Sequence, residues 1–275
     1  MIIAINYADE RFAKQQKYNA KTAYSIGRAD KVIQYGYLDL DDEFKNKNKN
    51  ILSQARGGGY WIWKPYIILK TLNEIADYGD YVLYCDSGSY FVNKIEHLIK
   101  AMEKENTDIM SFELPLMEKQ WTKKETFVLM ESDNYDVANS NQILATFILV
   151  KKSNRSIDFI KEYLKYCCNE KIVIDDYNVA EQCREFITHR NDQSVLSLLI
   201  KKYKIQPFRD PSQYGDRHNA YAEKDRWLRY KNYENSCYPR IIMSQRTANL
   251  HTFKIKEFIK DNIYKILFIF NILKK

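Results

Sequence analysis

Residues 81–88 decide how this chain is organised, and they read Tyr81-Val82-Leu83-Tyr84-Cys85-Asp86-Ser87-Gly88. Five apolar or aromatic residues in a row predict a buried strand, which ends at an acidic residue followed by a small residue and a glycine. In an open α/β sheet, ligands bind outside the carboxyl ends of the strands. Asp86 is therefore predicted to project into a ligand site, although Asp-Ser-Gly is equally typical of a surface turn.

Similar apolar runs recur along the chain and alternate with amphipathic segments. Strands are predicted at residues 2–7, 31–37, 81–85, 109–113 and 142–151. Helices are predicted at residues 12–29, 65–77, 94–105, 121–130, 155–168 and 192–203. This alternation indicates an α/β fold with a mostly parallel central sheet flanked by helices. We expect one domain at residues 1–253, followed by a C-terminal amphipathic helix at residues 254–275.

The length and composition of the chain indicate how many domains it forms and which kinds of partner it binds. The chain has 275 residues, 45% of them hydrophobic, which suits one large domain. A formal net charge of +7 favours anionic partners such as a nucleotide or a membrane surface. The basic residues are spread out and show no zinc-finger spacing, so no nucleic acid is expected as a partner. The five cysteines predict buried thiols in a reducing cytoplasm, and the short apolar N-terminus is not a signal peptide.

One glycine cluster precedes a predicted helix, at Arg56-Gly57-Gly58-Gly59-Tyr60-Trp61-Ile62-Trp63-Lys64-Pro65. Its spacing matches neither a P-loop nor a dinucleotide-binding fingerprint. Three glycines allow a ligand to approach the backbone closely, and the helix start after Trp63 favours anions. Arg56 and Lys64 are therefore predicted phosphate contacts. A flexible loop packed by two core tryptophans would explain the same residues.

Two polar segments follow the later elements. The first, His189-Arg190-Asn191-Asp192-Gln193-Ser194, precedes an apolar helical stripe. Asp192 is therefore either a helix cap or, together with His189, a base, ligand or sugar-hydroxyl acceptor in a cleft. The second, Asp210-Pro211-Ser212-Gln213-Tyr214-Gly215-Asp216, predicts a turn-rich loop and by itself nothing more.

Seven segments, in this order along the chain, resemble a family of bacterial glycosyltransferases that build capsular and lipopolysaccharide-type polysaccharides. They are residues 7–12, 56–65, 84–88, 121–124, 142–145, 189–199 and 210–216. The resemblance implies a GT-A type fold whose N-terminal half binds a nucleotide. It also implies transfer of a hexose from a nucleotide-sugar to a surface polysaccharide or lipid-linked glycan. The expected donor is a UDP-sugar, with galactose in either ring form as the expected hexose.

The resemblance further implies donor-binding and metal-binding residues. Asp86-Ser87-Gly88 takes the place of the DxD motif that holds Mn²⁺ or Mg²⁺ at the donor diphosphate, but glycine stands at its third position. His251 is expected to join Asp86 as a metal ligand, because a hard cation needs about six mainly oxygen ligands. The implied donor-binding residues are Tyr7, Ala8, Asp9, Arg11, Arg56, Gly59, Trp61, Trp63, Lys64, Asp86, Ser87, Gly88 and Gln142.

The expected chemistry assigns further roles. Sugar transfer builds negative charge on the leaving diphosphate, so basic groups lower the barrier, and Arg246 joins the basic residues of the glycine cluster as a phosphate contact. An inverting enzyme needs a carboxylate to take the proton of the acceptor hydroxyl. Asp192 is the first candidate, with His189 beside it and with Glu113 and Glu125 as the next choices. A retaining enzyme needs no base there, and the sequence leaves both stereochemistries open.

Two other functions fit the same segments. Fold does not determine function, so a non-catalytic nucleotide- or glycan-binding protein on this scaffold is the main alternative. A nucleotidyltransferase is the second alternative, although no pair of adjacent acidic metal ligands supports it. Turnover of a nucleotide-sugar would separate the first alternative from the main hypothesis, and release of pyrophosphate would identify the second.

The last 22 residues, 254–275, predict a basic amphipathic helix. Its apolar run at residues 266–273 is too short to span a bilayer. A helix of this kind suits an anionic membrane surface, so we expect peripheral attachment at the inner face of the plasma membrane. A terminal helix that closes the domain, or one that forms a dimer contact, would show the same pattern.

Overall fold

The computed structural model describes residues 1–177, 180–245 and 250–269. Within these residues, six strands form the main sheet and two form a small second sheet. The strands are β1 (Ile2–Tyr7), β2 (Lys31–Tyr35), β3 (Tyr81–Cys85), β4 (Ser89–Phe91), β5 (Ile109–Met117), β6 (Asn141–Lys151), β7 (Phe208–Arg209) and β8 (Ile242–Ser244). The five predicted strands are all present, and the three short ones, β4, β7 and β8, had no clear apolar run to indicate them.

The main sheet has the order β2-β1-β3-β6-β5-β7, and the small sheet pairs β4 with β8. β1 pairs in parallel with β2 and β3, and β5 pairs in parallel with β7. β6 lies between β3 and β5 and is antiparallel to both. The predicted α/β class with a mostly parallel sheet is therefore confirmed. The direction of β6 could not be predicted, because a continuous apolar run carries no information on strand direction.

Helices cover both faces of the main sheet. The longer ones begin within a few residues of their predicted starts, except that the helix predicted at 121–130 spans only Lys124–Leu129. In chain order the helices are Ala13–Ser25, Asp42–Lys47, Lys49–Leu52, Trp63–Glu74, Glu96–Lys104, Lys124–Leu129, Tyr135–Ala138, Asn154–Cys167, Glu170–Val173, Asn191–Lys202, Gln213–Asp216 and Leu250–Ile269. Short 3-10 turns lie at Glu10–Phe12, Tyr37–Asp39, Glu118–Gln120 and His218–Tyr221.

Alternating side chains of the strands divide the core into two layers. Along β3, Val82 and Tyr84 belong to one buried cluster, and Leu83 and Cys85 belong to the other. The first cluster is completed by the helices Trp63–Glu74, Asn154–Cys167 and Asn191–Lys202. The second cluster includes residues of the helices Ala13–Ser25 and Glu96–Lys104. The two helices that carry the predicted site residues thus pack on the same face of the sheet as Tyr84.

The cysteines are free, but the prediction that they are buried is only partly right. Cys85 and Cys167 are buried and Cys168 is half-buried, whereas Cys183 and Cys237 are exposed. The exposed pair lies in the irregular segments outside the sheet, where a lone cysteine gives no sequence signal for burial.

The C-terminal helix starts at Leu250, four residues before its predicted start, and is described to Ile269. Phe253 and Glu257 are buried against the domain, and Glu257 pairs with Arg217 at 2.7 Å. The predicted boundary at 253/254 therefore falls inside a helix whose first half packs on the rest of the chain. Residues 270–275 lie outside the described residues. Within the described part, no helix is long and apolar enough to cross a membrane.

The glycine cluster forms a left-handed turn rather than a flexible loop. Five consecutive residues, from Gly57 to Trp61, have φ between 52° and 94°. The amide of Tyr60 donates to the carbonyl of Arg56 at 2.7 Å, and the amide of Trp61 donates to that of Gly57 at 3.4 Å. Left-handed helical geometry costs about 1–2 kcal/mol for each residue with a Cβ. Glycine at three of the five positions confines that cost to Tyr60 and Trp61.

Two glycines with nearly the same φ distinguish the cost of backbone strain from the cost of crowding. Gly59 has φ +94°, and a Cβ there would lie 2.7 Å from the Cα of Leu52, whereas Gly79 has φ +91° and no atom within 4 Å. We expect Gly79→Ala to lower the free energy of unfolding by about 1 kcal/mol from strain alone. Gly59→Ala should lower it by about 2–4 kcal/mol, because overpacking is added.

Chemical denaturation of both variants measures this difference. Equal losses in the two variants would contradict the close approach of the turn to Leu52.

Candidate active site

Three chain segments converge where β3 ends. Asp86 follows the last residue of β3, Lys64 lies in the first turn of the helix Trp63–Glu74, and Asp192 lies in the first turn of the helix Asn191–Lys202. Both helices pack on the face of the sheet to which Tyr84 points. One carboxylate therefore lies at the end of the strand, and the two helices place an ammonium and a second carboxylate beside it.

The centre of the site is a buried ion pair. The Nζ atom of Lys64 lies 2.6 Å from Oδ2 of Asp192 and 3.8 Å from Oδ1 of Asp86. The side chains of Lys64 and Asp192 are 3% and 5% exposed, whereas that of Asp86 is 35% exposed. Lys64 is thus a fixed cation between one buried carboxylate and one that faces solvent.

Two tyrosines hold the carboxylates in place. The hydroxyl of Tyr84 donates to Oδ1 of Asp86 at 2.5 Å, and the hydroxyl of Tyr163 donates to Oδ2 of Asp192 at 3.2 Å. Both tyrosines are fully buried. Burial raises their pKa values, and the neighbouring carboxylates raise them further. Each phenol therefore stays protonated and acts as a permanent donor.

The charges of the ion pair follow from the balance of burial and contact. Burial opposes ionisation of Lys64, but Asp192 and Asp86 outweigh it and raise the pKa of the ammonium. Burial raises the pKa of Asp192 to about 6, although Lys64 lowers it. At neutral pH Lys64 is charged and Asp192 is mostly ionised, so Asp192 can accept a proton under ordinary conditions.

The helix-cap explanation of Asp192 does not match its contacts. The residue at the cap position is Arg190, which makes no side-chain cap hydrogen bond. The carboxylate of Asp192 bonds Lys64 and Tyr163 instead. Asn191 has a left-handed φ of +46°, and its side-chain amide donates to the backbone carbonyl of Val173 at 2.7 Å. This turn sets the direction in which the next residue enters the site.

A cleft of about 530 Å³ opens beside the ion pair, and we call it the aromatic cleft. The rings of Tyr7 and Trp63 stack 3.8 Å apart, and Trp61 completes the aromatic wall. Nine of the thirteen predicted donor-binding residues line this cleft: Tyr7, Ala8, Asp9, Arg11, Trp61, Trp63, Asp86, Ser87 and Gly88. The structure therefore brings together residues that are up to 81 positions apart in the chain.

A second space of about 340 Å³, the inner cleft, continues from the aromatic cleft. Trp61 and Asp86 line both spaces. The inner cleft adds Lys64 and Asp192, and it also adds Arg56. Arg56 is already paired with Asp175 at 2.7 Å, so this guanidinium ties the glycine turn to the segment before residue 178.

Two further predicted residues are placed outside both clefts. Gly59 is packed against Leu52, where it serves the turn rather than a ligand. Gln142 is fully buried, and its amide oxygen accepts from the amide of Gln193 at 2.8 Å. Gln193 lines the inner cleft, so Gln142 lies one residue behind that surface.

His189 is placed behind the site rather than in it. Its ring is fully buried, with Nε2 2.9 Å from the carbonyl of Ile172 and Nδ1 accepting from the amide of Lys123 at 3.4 Å. A ring that donates at one nitrogen and accepts at the other is the neutral tautomer. Burial lowers the pKa of His189 to about 3, and Lys123 lowers it further. These contacts assign His189 a role in joining three backbone segments.

The expected metal site is only partly described. Among the described residues, no group of three or more His, Cys, Asp or Glu side chains could hold a metal ion. Asp86 contributes one carboxylate, and its Oδ1 already accepts from Tyr84 and lies near Lys64. The side chain of His251 and all of Arg246 lie outside the described residues. The described residues therefore supply one carboxylate, that of Asp86, to the expected metal site.

The remaining candidate bases are placed away from the ion pair. Glu113 accepts from the hydroxyl of Tyr233 at 2.7 Å and pairs with Lys231 at 2.9 Å, in a separate cavity. Glu125 is buried and accepts from Gln182 at 3.2 Å. Asp192 is thus the candidate base that lies beside Lys64 and Asp86.

Several residues at the site were missed in the sequence. Tyr84 lies in a predicted buried strand and Tyr163 in a predicted helix, and a tyrosine hydroxyl gives no periodic signal that would indicate its role. Asn19 lies in a polar helix, yet its amide donates to the carbonyl of Ser89 at 2.9 Å and braces the turn after β3. Gln193 and Arg190 lie in a segment that was singled out, but their cleft positions depend on the helix direction.

The buried neutral His189 has a measurable consequence for stability at acidic pH. The unfolded chain protonates this histidine below about pH 6.5, whereas the folded chain resists protonation down to about pH 3. Stability contributed by His189 is therefore present above pH 6.5 and lost as pH falls, at about 1.4 kcal/mol per pH unit. We expect His189→Gln to have a shallower loss of unfolding free energy on acidification.

Denaturation at a series of pH values from neutral to acidic measures this slope. His97→Gln, at a half-buried histidine of the helix Glu96–Lys104, is the matched control and should keep the wild-type slope. An identical slope in His189→Gln and wild type would contradict the buried neutral ring.

Comparison with known proteins gives structural similarity alone. No protein-family model matches this chain, and no curated protein matches its sequence. The galactosyltransferase LgtC, solved with donor and acceptor sugar analogues, is 16% identical over 90% of this chain and 88% of that chain, with a TM-score of 0.49. Mouse xyloside xylosyltransferase 1 is 11% identical over 89% and 97%, with a TM-score of 0.48. Because these TM-scores are below 0.5, the argument for function rests on the residues of this chain.

Proposed function

We propose that this protein is a nucleotide-sugar-dependent glycosyltransferase. The observation that carries the proposal is the buried Lys64 ammonium, which is fixed between Asp192 and Asp86 where the aromatic cleft meets the inner cleft. A nucleotide-sugar needs a flat surface for its base, a cation for its diphosphate and an acceptor of a proton near the sugar. The two clefts offer these three groups in that order.

The aromatic cleft suits the nucleoside. Tyr7 and Trp61 are half-buried rings in its lining, with Trp63 stacked on Tyr7 at 3.8 Å, and aromatic rings are surfaces on which bases stack. Gly58 also lines the cleft, and a glycine backbone lets a ligand approach closely. UDP as the nucleotide and galactose as the sugar are proposed on the family resemblance described above.

The inner cleft suits the diphosphate and the reacting carbon. In the transfer, the acceptor oxygen bonds to the anomeric carbon while the bond from that carbon to the diphosphate breaks. The bonding electrons leave with the diphosphate, so negative charge builds beside Lys64, whose fixed ammonium stabilises it. The acceptor hydroxyl loses its proton to Asp192 if the reaction inverts the anomeric centre. A retaining reaction would leave Lys64 with the same role and Asp192 as its anchor.

Mn²⁺ or Mg²⁺ remains a proposal that depends on residues near position 251. If a divalent ion binds, it would supply additional positive charge at the diphosphate, and Asp86 is the described residue that would hold it. Lys64 already places one positive charge at that position. We therefore derive the stabilisation of the leaving group from Lys64.

The first experiment measures nucleotide release from UDP-, GDP- and CMP-sugars by the full chain. We expect turnover of one nucleotide class and, for Asp192→Asn, a fall in kcat of about 10²–10⁴-fold if it is the base. Nucleotide affinity should be unchanged or tighter, because a negative charge is removed. The wild-type kcat/KM should fall below about pH 6, where the carboxylate of Asp192 is protonated.

Asp80→Asn is the matched control. Asp80 pairs with the N-terminal ammonium at 2.6 Å, the same distance as the pair in the site. It precedes the amino end of β3, whereas Asp86 follows the carboxyl end of that strand. This variant should keep wild-type turnover. Nucleotide binding without any turnover would favour the non-catalytic binding protein, and release of pyrophosphate would favour the nucleotidyltransferase.

We further propose that the C-terminal helix attaches the protein to an anionic membrane surface at the cytoplasmic face. The face opposite the buried Phe253 and Glu257 is an exposed apolar stripe. At 100° per residue, Lys254 falls on one flank of the stripe and Lys256 and Lys260 fall on the other. The stripe consists of Ile255, Phe258, Ile259, Ile263 and Ile266, which are 49–70% exposed. Apolar side chains between lysines suit the boundary of an anionic lipid layer.

Replacing two side chains of the stripe should release the protein from lipid. We expect Phe258→Asp with Ile259→Asp to weaken binding to phosphatidylglycerol-containing vesicles by about tenfold or more for each side chain. Vesicle flotation measures binding, which should also weaken with added salt. Leu38→Asp, at a residue 91% exposed elsewhere on the surface, is the control. Equal binding by the double variant and wild type would refute the attachment.

A further inference from the structure

A cavity of about 470 Å³ beside β5 and β7 has no role in the function proposed above. We call it the tyrosine cavity, because four tyrosines line it: Tyr214, Tyr221, Tyr230 and Tyr233. Its size is typical of a small-ligand site. Part of its wall is formed by the segment from Asp210 to Asp216, which the sequence identified only as a turn-rich loop.

That segment is folded against itself in a way that requires glycine. A Cβ on Gly215 would lie 2.0 Å from the carbonyl oxygen of Asp210. The close approach brings Tyr214 and Asp216 to the wall of the cavity, and Asp216 pairs with Arg209 at 2.7 Å and with Arg240 at 2.7 Å. The wall is therefore a built structure and not a loose loop.

The charges of the tyrosine cavity differ from those of the inner cleft. Four acidic and three basic residues line it, and they are Glu113, Asp210, Asp216 and Glu234 with Arg209, Arg217 and Lys231. The inner cleft has three basic and two acidic residues, Arg56, Lys64 and Arg190 with Asp86 and Asp192. The lining residues therefore have a formal charge of −1 in the tyrosine cavity and +1 in the inner cleft. The negative lining makes the tyrosine cavity a poor site for a phosphate.

Much of this charge is already neutralised within the cavity. Glu113 pairs with Lys231 and accepts from Tyr233, and Asp210 accepts from Tyr221 at 3.2 Å. What the cavity offers a ligand is therefore polar hydrogen-bonding groups beside tyrosine rings. A neutral, hydroxyl-rich molecule with apolar C–H faces matches that surface, since tyrosine combines an apolar ring with a polar end.

The tyrosine cavity adjoins the inner cleft. Tyr221 lines both the tyrosine cavity and the inner cleft. Along β5, Leu114 lines the inner cleft, whereas its two neighbours, Glu113 and Pro115, line the tyrosine cavity. A ligand in the tyrosine cavity would therefore be separated by the side chain of Tyr221 from the inner cleft, which Asp192 lines.

We propose that the tyrosine cavity binds the acceptor as a neutral oligosaccharide, whose last sugar passes Tyr221 and presents its hydroxyl to the inner cleft. The binding of carbohydrate stands on the cavity alone, whereas its role as acceptor rests on the proposed glycosyltransferase function. The arrangement places the anionic donor and the neutral acceptor in adjoining cavities that share Tyr221.

Saturation-transfer NMR of the full chain with lactose, maltose and chitobiose tests the binding. We expect at least one disaccharide to bind, and Tyr230→Ala to weaken it by about tenfold, because one ring face is lost. Tyr230→Phe keeps the ring and should bind nearly as wild type does. Tyr230 is 42% exposed, so its replacement leaves the core intact, and the melting temperature verifies this.

Tyr24→Ala is the matched control, because Tyr24 is 66% exposed on the distant helix Ala13–Ser25 and should not affect binding. Failure of all three disaccharides to bind, or equal binding by Tyr230→Ala and wild type, would overturn the proposal. Specific binding without turnover of any nucleotide-sugar would support the carbohydrate site and reject the proposed enzyme function. Turnover with a KM for the bound disaccharide that rises in Tyr230→Ala would support both.

Discussion

The ion pair between Lys64 and Asp192 is the interaction on which the candidate site depends. Removing two charges from water costs several kcal/mol for each ion, and the cost is offset only by close contact and full hydrogen bonding. The 2.6 Å separation provides the close contact, and the hydroxyl of Tyr163 adds a hydrogen bond to Oδ2 of Asp192. Removal of one partner from such a pair costs about 3–5 kcal/mol, because the other charge stays buried. The pair therefore fixes how two helices approach the end of β3, and with it the shape of both clefts.

The elements with strong apolar patterns could be predicted from the sequence. The five longest strands and the helices at 154–167 and 191–202 have continuous or periodic apolar residues, and all are present. The three short strands pair only two or three residues, so no periodicity can reveal them. The polar segments that were singled out do converge on one place, since Asp86, Lys64 and Asp192 lie together.

Side-chain direction limited what could be predicted within those segments. His189 and Asp192 are three residues apart, yet the left-handed Asn191 between them turns one ring into the core and the next carboxylate into the site. The glycine cluster was open to interpretation as a flexible loop, because glycine permits disorder and left-handed geometry equally. Only the position of Leu52 beneath the turn distinguishes the two. Such information lies in contacts between distant segments, which residue types alone do not contain.

The order of the strands has a consequence for how the molecule assembles. Residues 2–85 supply β1, β2 and β3, and residues 109–209 supply β5, β6 and β7, so the two sets meet along a single seam between β3 and β6. Lys64 and Tyr84 come from the first set, and Asp192 and Tyr163 come from the second. During synthesis, Lys64 can pair with Asp192 only after β6 and the helix that carries Asp192 have left the ribosome. Completion of the seam therefore determines when Lys64 gains its buried partner, because Asp86 at 3.8 Å is the carboxylate that the earlier part of the chain supplies.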